Sequence, residues 1–579
     1  MKLVEAFEIL QKNPPVAGNP FTESLVCGFN PLHLQTLLAA QSRLLLPDRR
    51  VEIQTGLYGD FWGNLERLTG TNHDVGIVIL EWPDFDPRLG IRSLGSWTPG
   101  VFTDILENVK ARTSHLQRAI QKISENAPIV ICLATLPLPP ISLTPGWQAS
   151  SFELELRAYL FSFSTQVAQY PNVTVVNPQR LDRLSPPSER FDVESELLTG
   201  FPYKLPHAAA MAELLSRLVQ NRTPKKGLIT DLDDTLWKGL LGEVCPEEVS
   251  WDLDHRSHMH GKYQQLIHAL SAAGVLIGVA SKNDRSLVDE VFQRKDLILP
   301  RSAISPMEIH WGPKSESVSK ILKTWNVGDD SVVFIDDSPM ELAEVKASHP
   351  DVECIQFPGR NNEAIHELFY LLQDLFGKSL ILEEDTFRLD SIRRAHSHAE
   401  AAKHFGTSPE HFLKQAEAEL MLNFSKDPLD PRGLELVNKT NQFNLNGTRH
   451  TEASWRNYLK RTDTFLLVVA YKDKYGPLGK IGVLAGHRDG KELFVDTWTM
   501  SCRAFSRLIE HKCLEELFAR FEVDEIEFSF KATARNRPFS EFLKTILGVP
   551  PSPACRLSKE RFLERRPETF HHVRELNNG

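Results

Sequence analysis

The stretch Lys226-Gly-Leu-Ile-Thr-Asp-Leu-Asp-Asp-Thr-Leu-Trp237 decides how this chain reads, because it sets Asp231, Asp233 and Thr235 directly after a short apolar run. Such a run reads as a buried strand whose end delivers side chains to one edge of a sheet. A carboxylate there, a second two residues on and then a threonine supply a nucleophile, a general acid/base and a backbone-fixing hydroxyl. That is the equipment of aspartyl-phosphate chemistry. Two acids in a surface turn are the ordinary alternative, so the downstream spacing has to decide.

Val275-Leu-Ile-Gly-Val-Ala280 reads as a second buried parallel strand and ends in Ser281-Lys-Asn-Asp284, a hydroxyl where a phosphoryl oxygen can bind. Trp311-Gly-Pro-Lys314 opens a helix whose Val318, Ile321, Leu322 and Trp325 follow helical spacing, which holds Lys314 near the helix start. Val332-Val-Phe-Ile335 then runs into Asp336-Asp337-Ser338-Pro339, with two more carboxylates where ligands sit in open α/β sheets.

These four motifs, in this order, resemble those of the haloacid dehalogenase superfamily, phosphatases and phosphotransferases built on a doubly wound, Rossmann-like sheet. The resemblance implies that Asp231 is the nucleophile, Asp233 the acid/base, and Ser281 and Lys314 the phosphoryl ligands, with Thr235, Lys282 and Asn283 beside the phosphate. It also implies Mg²⁺ held by Asp231, the backbone carbonyl of Asp233, and Asp336 or Asp337. The electrostatics agree, since a phosphate and several carboxylates share a pocket only when cations offset their repulsion. All-oxygen ligands favour Mg²⁺ over zinc, which would call for His or Cys at ligand spacing.

Between Asp231 and Ser281 lie only one expected helix, Tyr263 to Ala273, and the segment His255-Arg-Ser-His-Met-His260, whose histidines read as solvated loop residues. That is a minimal cap. The site is therefore expected to be open to a bulky substrate or another protein domain.

The wider bounds are those of a globular cytoplasmic enzyme. The 579 residues suggest three or four domains, with 41% hydrophobic and 25% charged residues. A net charge of -10 gives no general pull toward nucleic acid or anionic membrane. No segment approaches the roughly 18 to 20 apolar residues of a membrane span, and the N-terminus lacks the apolar core of a signal peptide. The seven cysteines are scattered without a Cys-x-x-Cys pair, so free thiols are expected.

Residues 1–222 alternate apolar strands with helices and form a separate α/β domain. This part resembles a degenerate SGNH hydrolase. Where an active member needs a serine after the first strand the chain has Cys27-Gly-Phe-Asn-Pro31, and a packing thiol is the better reading of Cys27. His207 echoes the catalytic histidine but has no serine to activate. Residues 223–378 hold the phosphatase-like motifs, and a charged helical link is expected over 379–420.

Residues 421–579 read as a GNAT-like α+β domain. Asn438-Lys-Thr-Asn-Gln-Phe-Asn-Leu445 precedes three strands, the last of which leads through Ser501-Cys-Arg-Ala-Phe-Ser-Arg507 into a helix. A basic loop entering a helix N-terminus is how GNAT acyltransferases bind the pyrophosphate of CoA or a phosphopantetheine. Cys502, beside Arg503 and near Arg507, sits where a thiolate is favoured, with a half-buried packing thiol as the alternative.

Taken in order, the parts resemble the FkbH-like glyceryl transferase/phosphatases, with a subclass IIIC phosphatase-like domain, over nearly the whole chain. The resemblance implies a small phosphorylated three-carbon substrate, 1,3-bisphosphoglycerate, and a partner, the phosphopantetheine arm of an acyl carrier protein. Phosphate leaves at Asp231, and glyceryl is captured by a thiol, for which Cys502 is the candidate. A stand-alone Mg²⁺-dependent phosphatase and a non-catalytic carrier-docking scaffold are the alternative readings.

Overall fold

The computed structural model describes residues 1–12, 20–70, 73–94, 98–220, 223–378, 381, 414, 416–426, 429–474, 476–501, 504, 507–533 and 535–576. The chain divides into two compact units, Met1–Arg222 with Thr451–Arg456, and Thr223–His450 with Asn457–Gly579.

In the first unit, β1 (Phe21–Val26), β2 (Val51–Thr55), β3 (Val75–Ile79), β4 (Ile129–Cys132) and β5 (Val173–Val175) form a parallel sheet in the order β2-β1-β3-β4-β5. Helices Leu32–Leu45, Phe102–Ser124 and Ser151–Val167 connect these strands. Every residue of β3 and β4 is buried, as continuous apolar runs require when helices cover both faces.

The second unit holds two sheets. In the first of them β6 (Gly227–Thr230), β7 (Leu276–Ser281), β8 (Met307–Ile309), β9 (Val332–Asp336) and β10 (Glu353–Gln356) run parallel in the order β10-β9-β6-β7-β8. Successive side chains along a strand face opposite ways. Leu228, Ile277, Val333 and Ile335 accordingly share a core with residues of helices His258–Ala272 and Asn362–Phe376. Ile229, Leu276, Val332 and Phe334 share another with helices Lys314–Trp325 and Pro339–Ser348. Helices on both faces make the sheet doubly wound.

Two strand glycines set how closely one of those helices lies. A Cβ on Gly227 would fall 2.5 Å from the Trp325 ring, and one on Gly278 would fall 2.9 Å from it. The indole fills the space they leave, which draws the helix down onto the sheet and fixes Lys314 at its first turn.

The expected helix from Tyr263 begins earlier, at His258. Gly261 reads as a loop residue by propensity, yet a Cβ there would lie 2.4 Å from the Trp251 carbonyl, so the glycine serves close packing. His260 is consequently buried rather than solvated: it packs on the Phe357 ring at 5.2 Å, and its Nδ1 bonds the Thr235 carbonyl at 3.0 Å. His255 is exposed, as expected, and pairs with Asp252.

Most of the expected link 379–420 lies outside the described residues. Its end is strand rather than helix, because Glu419 and Leu420 open β11 (Glu419–Asn423). β11 joins β12 (Phe443–Asn444), β13 (Thr464–Asp473), β14 (Gly476–Asp489), β15 (Glu492–Met500), β16 (Glu525–Ser529), β17 (Ala554–Ser558) and β18 (His572–Glu575). The order is β17-β16-β15-β14-β13-β11-β18, with β12 added to β15. Helix Ile509–Phe521 lies between β15 and β16 in sequence, so the region is α+β. No helix among the described residues is long and apolar enough to cross a membrane.

Candidate active site

Asp231 follows β6, and its backbone N–H still donates to Ile335 of β9 at 2.9 Å, so the ladder places it beside the end of that strand. There β9 delivers Asp336, and one carboxylate oxygen from each of Asp231, Asp336 and Asp337 lies within 4.8 Å of the others. Lys314 reaches into this cluster from its helix, with Nζ 3.0 Å from Asp231 Oδ2 and 2.5 Å from Asp336 Oδ2. Lys314, Asp231 and Asp336 are all buried.

One buried ammonium does not neutralise three carboxylates. Burial, then the charge of Asp231, lifts Asp337 above the usual carboxyl range, and the same two causes act on Asp336 against the opposing pull of Lys314. Burial works against the charge on Lys314, but Asp231 and Asp336 outweigh it and raise the ammonium above its ordinary value. Asp231 Oδ1 is buried with no hydrogen-bond partner among the described residues. An orphaned carboxylate oxygen in a net-negative, all-oxygen cluster fits a hard divalent cation such as Mg²⁺.

Asp233 stands outside that cluster. Its Oδ1 accepts from the Trp237 indole at 2.9 Å, and its Oδ2 accepts from Leu241 N–H and Asn283 Nδ2, both at 3.0 Å. Trp237 is completely buried, so the indole is a fixed tether. Burial pushes the Asp233 carboxyl up to about 7, with Asp231 adding to the rise and the Trp237 bond opposing it. A group poised there can give or take a proton near neutrality.

Several predicted residues are placed differently from expectation. Ser281 ends β7 and is buried, but Lys282 turns to Glu341, with Nζ 2.8 Å from its carboxylate. Asn283 is spent on Asp233. The Thr235 hydroxyl is buried and makes no hydrogen bond among the described residues, so it does not fix the backbone as expected. Instead the turn is held by Asp234, left-handed at φ 47°, whose Oδ1 accepts from Gly239 N–H at 2.9 Å.

Sequence reasoning missed Glu344, which accepts the N–H groups of Lys314 at 3.1 Å and Ser315 at 3.3 Å and so caps the helix that carries the lysine. The orphan amides of a helix start were the only available signal.

Cys502 and Arg503 lie outside the described residues. Arg507 sets its guanidinium 5.5 Å from the Tyr471 ring centroid. In the first unit Cys27 is buried, donates to the Phe29 carbonyl at 3.3 Å and has its thiol pKa raised by burial, as a packing thiol should. His207 is buried between Thr135 Oγ1 at 3.0 Å and Ser185 Oγ at 2.9 Å, and burial pushes its pKa down to about 3. Both of its ring nitrogens are therefore taken by hydroxyls. The six cysteines described are free.

No family model and no curated protein matches the chain. Among solved structures the chain is similar to the N-terminal part of BF1531 from Bacteroides fragilis, a crystal structure containing a phosphatase domain complexed with Mg. The identity is 19%, the match covers 66% of this chain and 100% of that one, and the TM-score is 0.53. What is common to the two is the fold: a multidomain α/β architecture with parallel sheets.

Proposed function

We propose that this chain is an Mg²⁺-dependent phosphatase of the haloacid dehalogenase type, coupled to glyceryl transfer from 1,3-bisphosphoglycerate onto the phosphopantetheine thiol of an acyl carrier protein. The observation that carries the phosphatase half is the convergence of buried Asp231, Asp336 and Lys314 with half-buried Asp337 at the carboxyl edge of the β6–β10 sheet. The BF1531 likeness supports the same reading, because that domain is described as a phosphatase complexed with Mg.

Asp231 attacks phosphorus and the phosphorus–oxygen ester bond breaks, its leaving oxygen taking a proton from Asp233, held for that task by Trp237, Leu241 and Asn283. Water, giving its proton back to Asp233, then hydrolyses the aspartyl phosphate and frees phosphate. Lys314 offsets charge on the phosphoryl oxygens. Bound by Asp231, Asp336 and Asp337, Mg²⁺ would neutralise the carboxylates and orient the phosphoryl group. The transfer half rests on the resemblance of nearly the whole chain to FkbH-like proteins and on the α+β sheet that follows.

The test pairs phosphate release with the intact mass of a carrier protein. Wild type is expected to release both phosphates and add a glyceryl mass to the carrier, whereas Asp231→Asn frees only the acyl phosphate and adds a phosphoglyceryl mass, because an amide cannot attack phosphorus of the ester. Loss of the ester phosphate in a verified Asp231→Asn enzyme would refute the nucleophile, and phosphate release by wild type without carrier loading would leave a plain phosphatase.

A further inference from the structure

A second constellation lies in the C-terminal sheet, away from the phosphatase motifs. Strands β14 and β15 pair in register until Ala485 meets Thr497 and Gly486 meets Val495, which leaves Asp496 as the extra residue of a bulge. Bulges re-aim side chains, and this one gathers partners from three elements. Asp496 Oδ2 accepts from Tyr458 Oη at 2.6 Å and is 2.8 Å from His487 Nδ1, while Oδ1 accepts from Ser529 Oγ at 3.2 Å. Gly486 lets the bulge close, since a Cβ there would fall 1.8 Å from the Phe494 carbonyl.

The same place is where two strands part. β16 pairs with β15 only as far as Val495 and Phe528, and beyond that the Phe443–Asn446 segment enters between them. Leu445 N–H donates to Trp498 at 2.9 Å, Lys531 N–H donates to Leu445 at 3.2 Å, and Asn446 Nδ2 bridges the carbonyls of Asp496 and Ser529. The end of the asparagine-rich motif is thus a wedge that fills the parting beside Asp496 by bonding to both sides.

His487 is clamped as well as oriented. Its ring stacks on Phe494 at 4.8 Å and 6°, its Nδ1 is fixed by the carboxylate, and its side chain remains 29% exposed. No hydrogen bond reaches Nε2 among the described residues. A carboxylate on Nδ1 fixes the tautomer that leaves Nε2 as a proton acceptor. Burial, then the bond to Asp496, raises the Tyr458 phenol above its ordinary range, so it stays a donor and keeps the carboxylate in place.

We propose that His487 is the general base of acyl transfer, taking the thiol proton of the incoming carrier arm at Nε2, with Asp496, Tyr458 and Ser529 as positioning residues. The inference rests on the transfer half of the preceding reading. The thiol S–H proton passes to Nε2, sulfur bonds to the acyl-phosphate carbonyl carbon, and the carbon–oxygen bond to phosphate breaks with phosphate leaving on the electron pair. The imidazolium then returns its proton to solvent. Asp496 lies four residues before Met500, about 13 Å along β15 from the loop that enters helix Ile509–Phe521.

The experiment measures carrier loading by intact mass, with 1,3-bisphosphoglycerate and a carrier protein bearing its arm. His487→Asn keeps a donor for Asp496 but has no base, and His487→Ala leaves room for added imidazole. Both should load at least about 100-fold more slowly than wild type, and imidazole should restore His487→Ala. Loading by His487→Asn at the wild-type rate overturns the proposal while leaving the transfer reading intact. A loss in His487→Ala that imidazole does not relieve marks a structural role and also overturns it. If the wild-type enzyme loads no carrier, the transfer reading itself fails, and the base goes with it.

Discussion

Replacing Lys314 by methionine isolates what the buried ammonium does. Its Nζ lies 3.0 Å from Asp231 and 2.5 Å from Asp336. At an effective dielectric near 20 each contact has a gross attraction of about 6 kcal/mol. Returning the ammonium to water recovers several kcal/mol, and a stranded carboxyl can take up a proton, so the net cost of removing one partner of a buried pair is about 3 to 5 kcal/mol. In chelator, Lys314→Met should open the β6 and β9 edges more readily by that amount, read by hydrogen exchange of peptides spanning Leu228–Asp231 and Val332–Asp336. Adding Mg²⁺ should narrow the gap, because three carboxylates without their ammonium bind a divalent cation more tightly, and ligand at 100 times its Kd adds about 2.7 kcal/mol. A gap below about 1 kcal/mol in chelator, or equal protection of both proteins by Mg²⁺, would refute the charge argument.

Release of the ester phosphate should stop in excess chelator, return with Mg²⁺ and fail to return with Ca²⁺, whose larger and more flexible shell misplaces in-line attack; equal rates with the two ions would overturn the assignment. Gly278→Ala should cost about 1 to 3 kcal/mol by pressing on Trp325, and Trp325→Leu in the same chain should relieve part of that cost. Additive losses in the double-mutant cycle would show that the two residues do not share the space. Glu23 in β1 is fully buried, and burial, opposed more weakly by the Ser42 hydroxyl, pushes its carboxyl up from 4.5 to about 7. Its folded pKa is the higher one, so the stability it contributes is complete below about pH 4.5 and is lost as pH rises through 7. Glu23→Gln should therefore stabilise the first unit by about 3 kcal/mol at pH 8 and hardly at all at pH 4.5, measured by urea unfolding. The opposite pH trend would mean that the carboxylate is held charged.

The phosphatase-like site was legible because parallel strands buried on both faces appear as continuous apolar runs, and the residue after each run must emerge at the ligand edge. Thus Asp231, Ser281 and Asp336 could be placed at strand ends with no knowledge of contacts. What those side chains do there was less legible. Asn283 and Asp233 are 50 residues apart, and no local pattern says that one will hold the other. His260 was misread because the helix was expected only from Tyr263, whereas it begins at His258 and Gly261 lets it approach the Trp251 backbone. The Glu341 partner of Lys282 was invisible, because the two are 59 residues apart and no local pattern pairs them.

The C-terminal constellation was hidden for a different reason. Period-2 reading assumes an unbroken register, and a single extra residue reverses which side chains share a face. Asp496 alternates with Val495 and Thr497 in the sequence and gives no sign of being the residue without a partner. Only the paired strands show that the bulge sits opposite Gly486, that Gly486 is the residue able to occupy that position, and that His487 follows it at once. An apolar run therefore announces chemistry at the end of a strand, whereas chemistry within a strand depends on a pairing the chain does not write locally. Asp496→Asn should separate the two cases: it retains the shape of the bulge but loses the carboxylate that orients His487, so carrier loading should fall by at least about 10-fold. Exchange protection of β14 and β15 should stay unchanged. Loss of that protection would mean that Asp496 holds the strands together and that its hold on His487 is incidental.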